Sequence, residues 1–246
     1  EEDIQHDYYR PISFHRLQAI LGIEGLPLVW SHQLSSPSLG GSPGSEDLPY
    51  QIPSTFVAAT TTDVGVPTGP WRAVEHSYNA FAVECFIDEL AHQAEQDPVK
   101  YRLRLLPKDS RLSHVIKLAA EKSNWDLPPS AGVFRGVAAH ASFGSYVAQV
   151  AEIAITETGN IRVQRVVCAF DCGLMVNPDT VKAQIEGGII YGLTATIKSS
   201  ITINEGQVEQ SNFHNFPLLR MDETPKIEIH LVTSAESPGG VGEPPV

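Results

Sequence analysis

One change of hydrophobic period, between Ser123 and Gly132, constrains this chain more than any other feature. Before it, three consecutive segments carry apolar residues at helical spacing; after it, three segments alternate as strands do. The first helix is predicted over Asn79 to Gln96. Phe81, Cys85, the Phe86-Ile87 pair, Leu90, Ala91 and Ala94 form its apolar face, with Glu84, Asp88, His92 and Glu95 opposite. Asp97-Pro98 reads as an N-cap with a first-turn proline, opening a short helix through Leu106, and Ser110 to Ser123 gives a third. Strands follow over Gly132 to Ser142, Tyr146 to Ile155 and Ile161 to Phe170, the last two flanking the tight turn Glu157-Thr158-Gly159-Asn160.

The flanks extend the pattern. Two strands are expected within residues 12–35, around Gly22 to Gly25, and a third over Pro53 to Thr62. A Ser-, Pro- and Gly-rich loop is expected from Ser35 to Pro49. Asn177-Pro178-Asp179 repeats the cap-and-proline signal and opens a helix toward Ile197. Gly187 and Gly188 lie inside that helix, where each costs about 1 kcal/mol relative to alanine, so a close backbone approach is expected there. Ile201 to Val208 and Lys226 to Val232 read as strands. Strands, helices, then strands with one more helix make an α+β fold with mixed sheets and packed helices, not a regular βαβ alternation.

Composition excludes several functions. The formal net charge of −12 opposes nucleic-acid binding, which needs a basic face. Three cysteines, Cys85, Cys168 and Cys172, form no disulfide framework and no zinc signature. Cys168 and Cys172 would share one face of a strand, where two small buried hydrophobes are expected rather than a metal pair. The nine histidines are scattered, none at metal-ligand spacing, with His76 beside Glu75 the one suggestive case. No dinucleotide fingerprint and no phosphate loop occurs.

Three side chains could carry chemistry. Glu243 stands between Gly242 and Pro244, in a loop whose glycines let backbone approach a ligand and whose prolines fix its exit. In a partly dry pocket such a carboxylate serves as a general base. On local sequence alone, an exposed glutamate in a loose tail is the stronger reading. Arg72, after Gly69-Pro70-Trp71, either grips a phosphate or carboxylate or lies exposed beside the ring. Gln184 either pairs with a heterocycle or is a surface glutamine.

Ordered blocks then converge on one family. Tyr8-Tyr9-Arg10-Pro11, Asp47-Leu48-Pro49-Tyr50-Gln51-Ile52-Pro53, Trp71-Arg72 and Asn79-Ala80-Phe81-Ala82-Val83-Glu84 are followed by Gly144 to Glu152, Asp171-Cys172-Gly173 and Asn177-Pro178. Gln184-Ile185-Glu186-Gly187-Gly188, Ser211-Asn212-Phe213-His214 and Val241-Gly242-Glu243-Pro244 complete the set. Together they resemble the C-terminal part of the molybdopterin-binding large subunit of molybdenum hydroxylases, the xanthine dehydrogenase and aldehyde oxidase family, of the isoquinoline 1-oxidoreductase β-subunit type.

The resemblance implies portions of two molybdopterin-binding domains, residues 1–108 and 109–246, and a molybdenum-bound pterin, often as its cytosine dinucleotide. It implies hydroxylation of an aldehyde or N-heterocycle with oxygen from water. Glu243 matches the family's general base, Arg72 an arginine near cofactor and substrate, Gln184 a pterin-contacting glutamine, and Gly242 lies in the same cofactor-binding block. Implied partners are a small subunit carrying [2Fe–2S] clusters, a cytochrome c electron acceptor, a small-molecule substrate and the upstream half of the same subunit. Glycine-rich loops that hold the other side of the cofactor are absent from these residues, so the chain alone is expected to be inactive. The alternative is a non-catalytic cofactor-binding or scaffold piece. Glu75 stands where this subfamily has glycine.

Overall fold

The computed structural model describes residues 2–37 and 43–246. A single helical turn, α1 (Glu2–Gln5), precedes β1 (Phe14–Leu21), β2 (Pro27–Ser36) and β3 (Ser54–Thr61). β1 and β2 pair antiparallel through a turn in which Gly25, at φ 75°, donates its N–H to the Gly22 carbonyl at 2.9 Å. β3 lies parallel to β2, which requires a crossover, and the predicted loop after Ser36 supplies it. Residues 38–42 of that loop lie outside the described residues.

Three helices follow, α2 (His76–Gln93), α3 (Pro98–Leu105) and α4 (Arg111–Lys122). The predicted Asp97 cap forms, its side chain accepting from Lys100 N–H, and the third helix is capped as well, Ser110 accepting from Ser113 N–H. α2 begins three residues earlier than expected, and its faces differ from the amphipathic reading. Phe81 is 69% exposed and Cys85 is exposed, whereas Glu84 is buried. The reason is a partner that periodicity cannot see. α3 brings the fully buried Arg102 against Glu84, whose Oε2 accepts from Arg102 Nε at 2.9 Å and from Ala139 N–H at 2.8 Å. The Tyr50 hydroxyl donates to Glu84 Oε1 at 2.6 Å, and Arg102 Nη1 reaches Asp88 at 2.5 Å. With every oxygen occupied the charge is tolerated inside; removing one partner from such a pair costs about 3–5 kcal/mol.

The second sheet holds β4 (Val133–Ser142), β5 (Ser145–Ile155) and β6 (Ile161–Asp171), followed by α5 (Pro178–Ile197), the short pair β7 (Ile203–Asn204) and β8 (Gln207–Val208), and β9 (Lys226–Leu231). Strand order is β4-β5-β6-β9, with β9 parallel to β6. The predicted strand over Ile201 to Val208 is instead this two-stranded hairpin, broken at Glu205-Gly206, both at positive φ. β4 and β5 join through Phe143-Gly144, φ 50° and 77°, the positive-φ pair a two-residue hairpin demands.

From Val166 onward β6 is buried on both faces. Val167 and Ala169 enter one core cluster with Trp30, Ile87, Leu105, Ile116 and Val150, while Cys168 and Phe170 enter a second with Cys172, Ile185 and Ile189 of α5. The two cysteines are therefore core hydrophobes, as expected. Trp30, fully buried, meets Phe86 edge to face at 5.1 Å and ties the first sheet to α2. The sheets and helices give the α+β class read from the sequence.

Candidate functional site

The site is built where the last ten residues lie across α5. Asn177 caps that helix, its Oδ1 accepting from Asp179 and Thr180 N–H at 3.1 and 3.2 Å. The expected close approach at the glycines is present. A Cβ on Gly188 would lie 2.6 Å from Pro245 Cγ, and one on Gly192 would lie 2.9 Å from the Val246 carbonyl oxygen. The other side of the terminal segment is pinned to the β4–β5 hairpin. Gly240 N–H donates to the Phe143 carbonyl at 2.7 Å, Ser145 Oγ donates to the Gly240 carbonyl at 2.6 Å, and Gln149 Nε2 donates to the Pro245 carbonyl at 3.0 Å. Glu243 thus sits, half-buried, in a clamped segment with Pro244 and Pro245 buried behind it. It is not in a loose tail.

The segment after Trp71 supplies the facing wall. Arg72 Nε donates to the Gly242 carbonyl at 2.5 Å, and its Nη2 donates to the Gln184 carbonyl and Oε1 at 3.3 and 3.4 Å. Ala73 N–H donates to Glu243 Oε1 at 3.3 Å. To aim that N–H, Ala73 and Val74 adopt φ 74° and 43°, a left-handed pair without glycine. For a β-branched residue this is a strained conformation of the kind that clusters at functional sites. Glu75, where the resemblance leads us to expect glycine, has an ordinary φ of −63°. Arg72, Gln184, Gly242 and Glu243 therefore meet at one place, with Arg72 and Gly242 170 residues apart in sequence. Arg72 grips backbone carbonyls and Gln184 rather than an anion.

A cleft of about 410 Å³ opens beside Glu243, with Ala73, His76, His140, Ser142 and Gln149 in its walls. Ser142 Oγ is buried there without a hydrogen-bond partner among the described residues. His76 Nδ1 and His140 Nε2 are 2.9 Å apart, a pairing across 64 residues with no signal in the sequence beyond the His76 already noted. Burial lowers the pKa of both rings. His140, also beside His76, is pushed down to about 4; for His76 the neighbouring Asp47, Glu75 and Glu243 oppose the shift. A larger cavity, about 770 Å³, lies between the β5–β6 turn and the end of α5, away from all these residues, among charges such as the Lys198–Glu223 pair. Among the described residues no cluster of His, Cys, Asp and Glu is arranged to hold a metal ion by itself.

Known proteins share this pattern of sequence and fold. A family model described as the molybdopterin cofactor-binding domain matches residues 76–225. The β subunit of isoquinoline 1-oxidoreductase from Brevundimonas diminuta is 34% identical over 198 residues, 79% of this chain and 25% of that protein. A nicotinate dehydrogenase subunit from Pseudomonas putida is 34% identical over 191 residues, 70% of this chain and 16% of that protein. The chain spans a quarter or less of the length of these relatives. In fold it matches the quinoline 2-oxidoreductase from Pseudomonas putida 86, with a TM-score of 0.83 at 13% identity, over 98% of this chain and 58% of that one.

Proposed function

The chain belongs to the molybdopterin cofactor-binding domain family of the molybdenum hydroxylases, and on that premise we propose that it is catalytic machinery: part of an oxidoreductase that hydroxylates an N-heterocycle or aldehyde with oxygen from water. The names of these two relatives point to the heterocycle, since isoquinoline and nicotinate are both electron-poor nitrogen rings. The observation that carries the reading is the meeting of Arg72, Gln184, Gly242 and Glu243 beside one cleft.

The residues fit a pterin-borne molybdenum group. Next to Gly187 the space is open, the nearest atom to an added Cβ being Arg72 Nη1 at 4.0 Å, so a flat ligand can lie along the exposed Gln184 and Gly187 face. The unpartnered Ser142 Oγ offers a further polar contact inside the cleft. When bound, the cofactor, as its cytosine dinucleotide, supplies a two-electron oxidant. A [2Fe–2S] partner subunit and a cytochrome c would accept the electrons. In this reading residues 1–108 and 109–246 are portions of two domains, and the site lies where Arg72 of the first meets Gln184 and Gly242 of the second.

The chain's own residues have separable tasks. Glu243 takes the proton from the attacking oxygen as that oxygen adds to the electron-poor carbon, and Ala73 N–H holds the carboxylate toward the cleft. Arg72 locks the Gly242 carbonyl and the Gln184 carbonyl in one fork, fixing the base relative to the pterin-facing helix. Replacing Glu243 by Gln keeps shape and hydrogen-bonding capacity but removes the acceptor. Turnover per molybdenum, read by substrate-dependent dye reduction in the assembled enzyme, should fall by roughly 10²–10⁴-fold with cofactor content unchanged. Parent-like turnover would end the base assignment and leave the scaffold alternative.

A further inference from the structure

A general base must lose its proton before it can act again, and the groups around Glu243 restrict where that proton can go. Ala73 N–H and the Arg72 guanidinium are donors without acceptor capacity, and Gln184 is not basic. Glu84, in the same cleft, has both oxygens committed to Tyr50, Arg102 and Ala139 N–H, and Asp88 is tied to Arg102. His76 is different. It begins α2 three residues after Ala73, shares the cleft with Glu243 and lies within its electrostatic reach.

We propose that His76, hydrogen-bonded to His140, is the relay that takes each turnover's proton from Glu243 and delivers it to water. The proposal rests on Glu243 being the base. His76 Nδ1 and His140 Nε2 are within hydrogen-bond distance, and the relay uses the tautomer in which Nδ1 carries the proton and His76 Nε2 is the acceptor. In the transfer the Glu243 O–H bond breaks, an N–H bond forms at His76 Nε2, and water then removes that proton; no redox change is involved. His140 holds the ring without competing for the proton, because burial keeps it neutral well below physiological pH.

The pair is enclosed on the sides that matter. Phe143 packs edge-on to His76 at 5.2 Å. Gly44, at φ 84°, closes over both rings, and a Cβ there would stand 3.1 Å from His76 Nδ1 and from His140 Cε1. The charges facing His76 are Asp47 from the segment after β2, Glu75 on its own turn and Glu243 across the cleft; Asp47 also faces His140. All are acidic, so they favour the imidazolium when it forms, while burial keeps the ring neutral beforehand. His76 thus has a neutral resting state and a supported charged state, as a shuttle requires.

The test uses the assembled enzyme and, separately, histidine-labelled full chain. His76→Ala should lower turnover per molybdenum by roughly 10²-fold, the low end for a lost acid–base group. Cofactor content should be unchanged, and added imidazole should restore the rate in proportion to its concentration. His76→Gln keeps a polar group opposite His140 but cannot carry the proton, so it should show the same loss without any folding defect. In ¹⁵N NMR titrations of the chain, Glu243→Gln should lower the pH at which His76 protonates. Parent-like turnover in either His76 variant, a loss that imidazole does not relieve, or a His76 titration blind to Glu243→Gln would overturn the relay. Parent-like turnover in Glu243→Gln would instead remove the base reading on which it stands.

Discussion

Arg72 shows how much one residue organises here. Its Nε and Nη2 hold two backbone carbonyls from different segments, and its guanidinium lies 5.6 Å from the Tyr191 ring centroid. Tyr191 in turn stacks on Trp71 at 4.7 Å, and Arg10 covers Trp71 from beyond at 4.3 Å. Each charge-assisted hydrogen bond contributes about 1.5–3 kcal/mol. Arg72→Ala should therefore weaken cofactor retention at least about tenfold as well as slow turnover, since 1.4 kcal/mol is one decade. Arg72→Lys should fall between, because an ammonium cannot span both carbonyls in one plane. Molybdenum content after gel filtration of each variant checks this, and full retention in Arg72→Ala would sink it. At this scale the sequence was partly legible. Glu243, Gly242, Gln184 and Arg72 stood in family blocks, so they could be named. The left-handed Ala73 and Val74 could not, because neither residue type signals positive φ, and His140 gave no sign of a partner 64 residues away.

The elements were easier to read than their faces. Asp97-Pro98, Ser110 and Asn177-Pro178 announce helix starts by local hydrogen bonding that the structure contains, so those boundaries needed no tertiary information. The buried Glu84 of α2 was misread because its cost is offset by Arg102, Tyr50 and Ala139, all distant in sequence. The position of β9 beside β6, some sixty residues on, was equally invisible to periodicity. The glycines of α5 lie between these cases: a close approach was expected, its partner was not. That partner makes the two glycines unequal. At Gly188 a methyl group would meet the buried, rigid Pro245 at 2.6 Å, whereas at Gly187 the nearest atom is 4.0 Å away. Gly187→Ala should gain up to about 1 kcal/mol from helix propensity. Gly188→Ala should forfeit that gain to about 1–3 kcal/mol of overpacking and push the Glu243 segment off the helix. Thermal unfolding of both variants separates them; equal stabilisation would show that Pro245 does not rest on Gly188.

For the whole molecule, acid response depends on two opposing effects. The chain carries a net charge of −12 at pH 7, so protonation relieves mutual repulsion as pH falls. Such long-range terms are largely screened beyond about 8 Å at physiological salt. Buried histidines act the other way and are not screened. His32 is fully buried, with its pKa held at about 4 by burial and then by the neighbouring His15; His140 is held at about 4 by burial and then by His76. In the unfolded chain a histidine titrates near 6.5. Between about pH 6.5 and 4 the unfolded state therefore binds more protons than the folded one, and stability falls as pH is lowered through that window. Carboxylates do not obscure it. Glu228, pulled to about 2 by its hydrogen bond from Arg165 and then that from Lys226, contributes stability above its unfolded value near 4.5 and loses it only as pH drops toward 2. Denaturation midpoints at physiological salt should thus decline from pH 7 to pH 5. His32→Leu should flatten that decline, since it removes one titrating ring and also a buried Nδ1 that has no hydrogen-bond partner among the described residues. His15 keeps its hydrogen bond to Ser13, so the loss on that side is limited. Urea titrations of parent and variant at pH 7, 6 and 5 decide the matter, and an unchanged slope in His32→Leu would mean that this ring is not what makes the fold acid-sensitive.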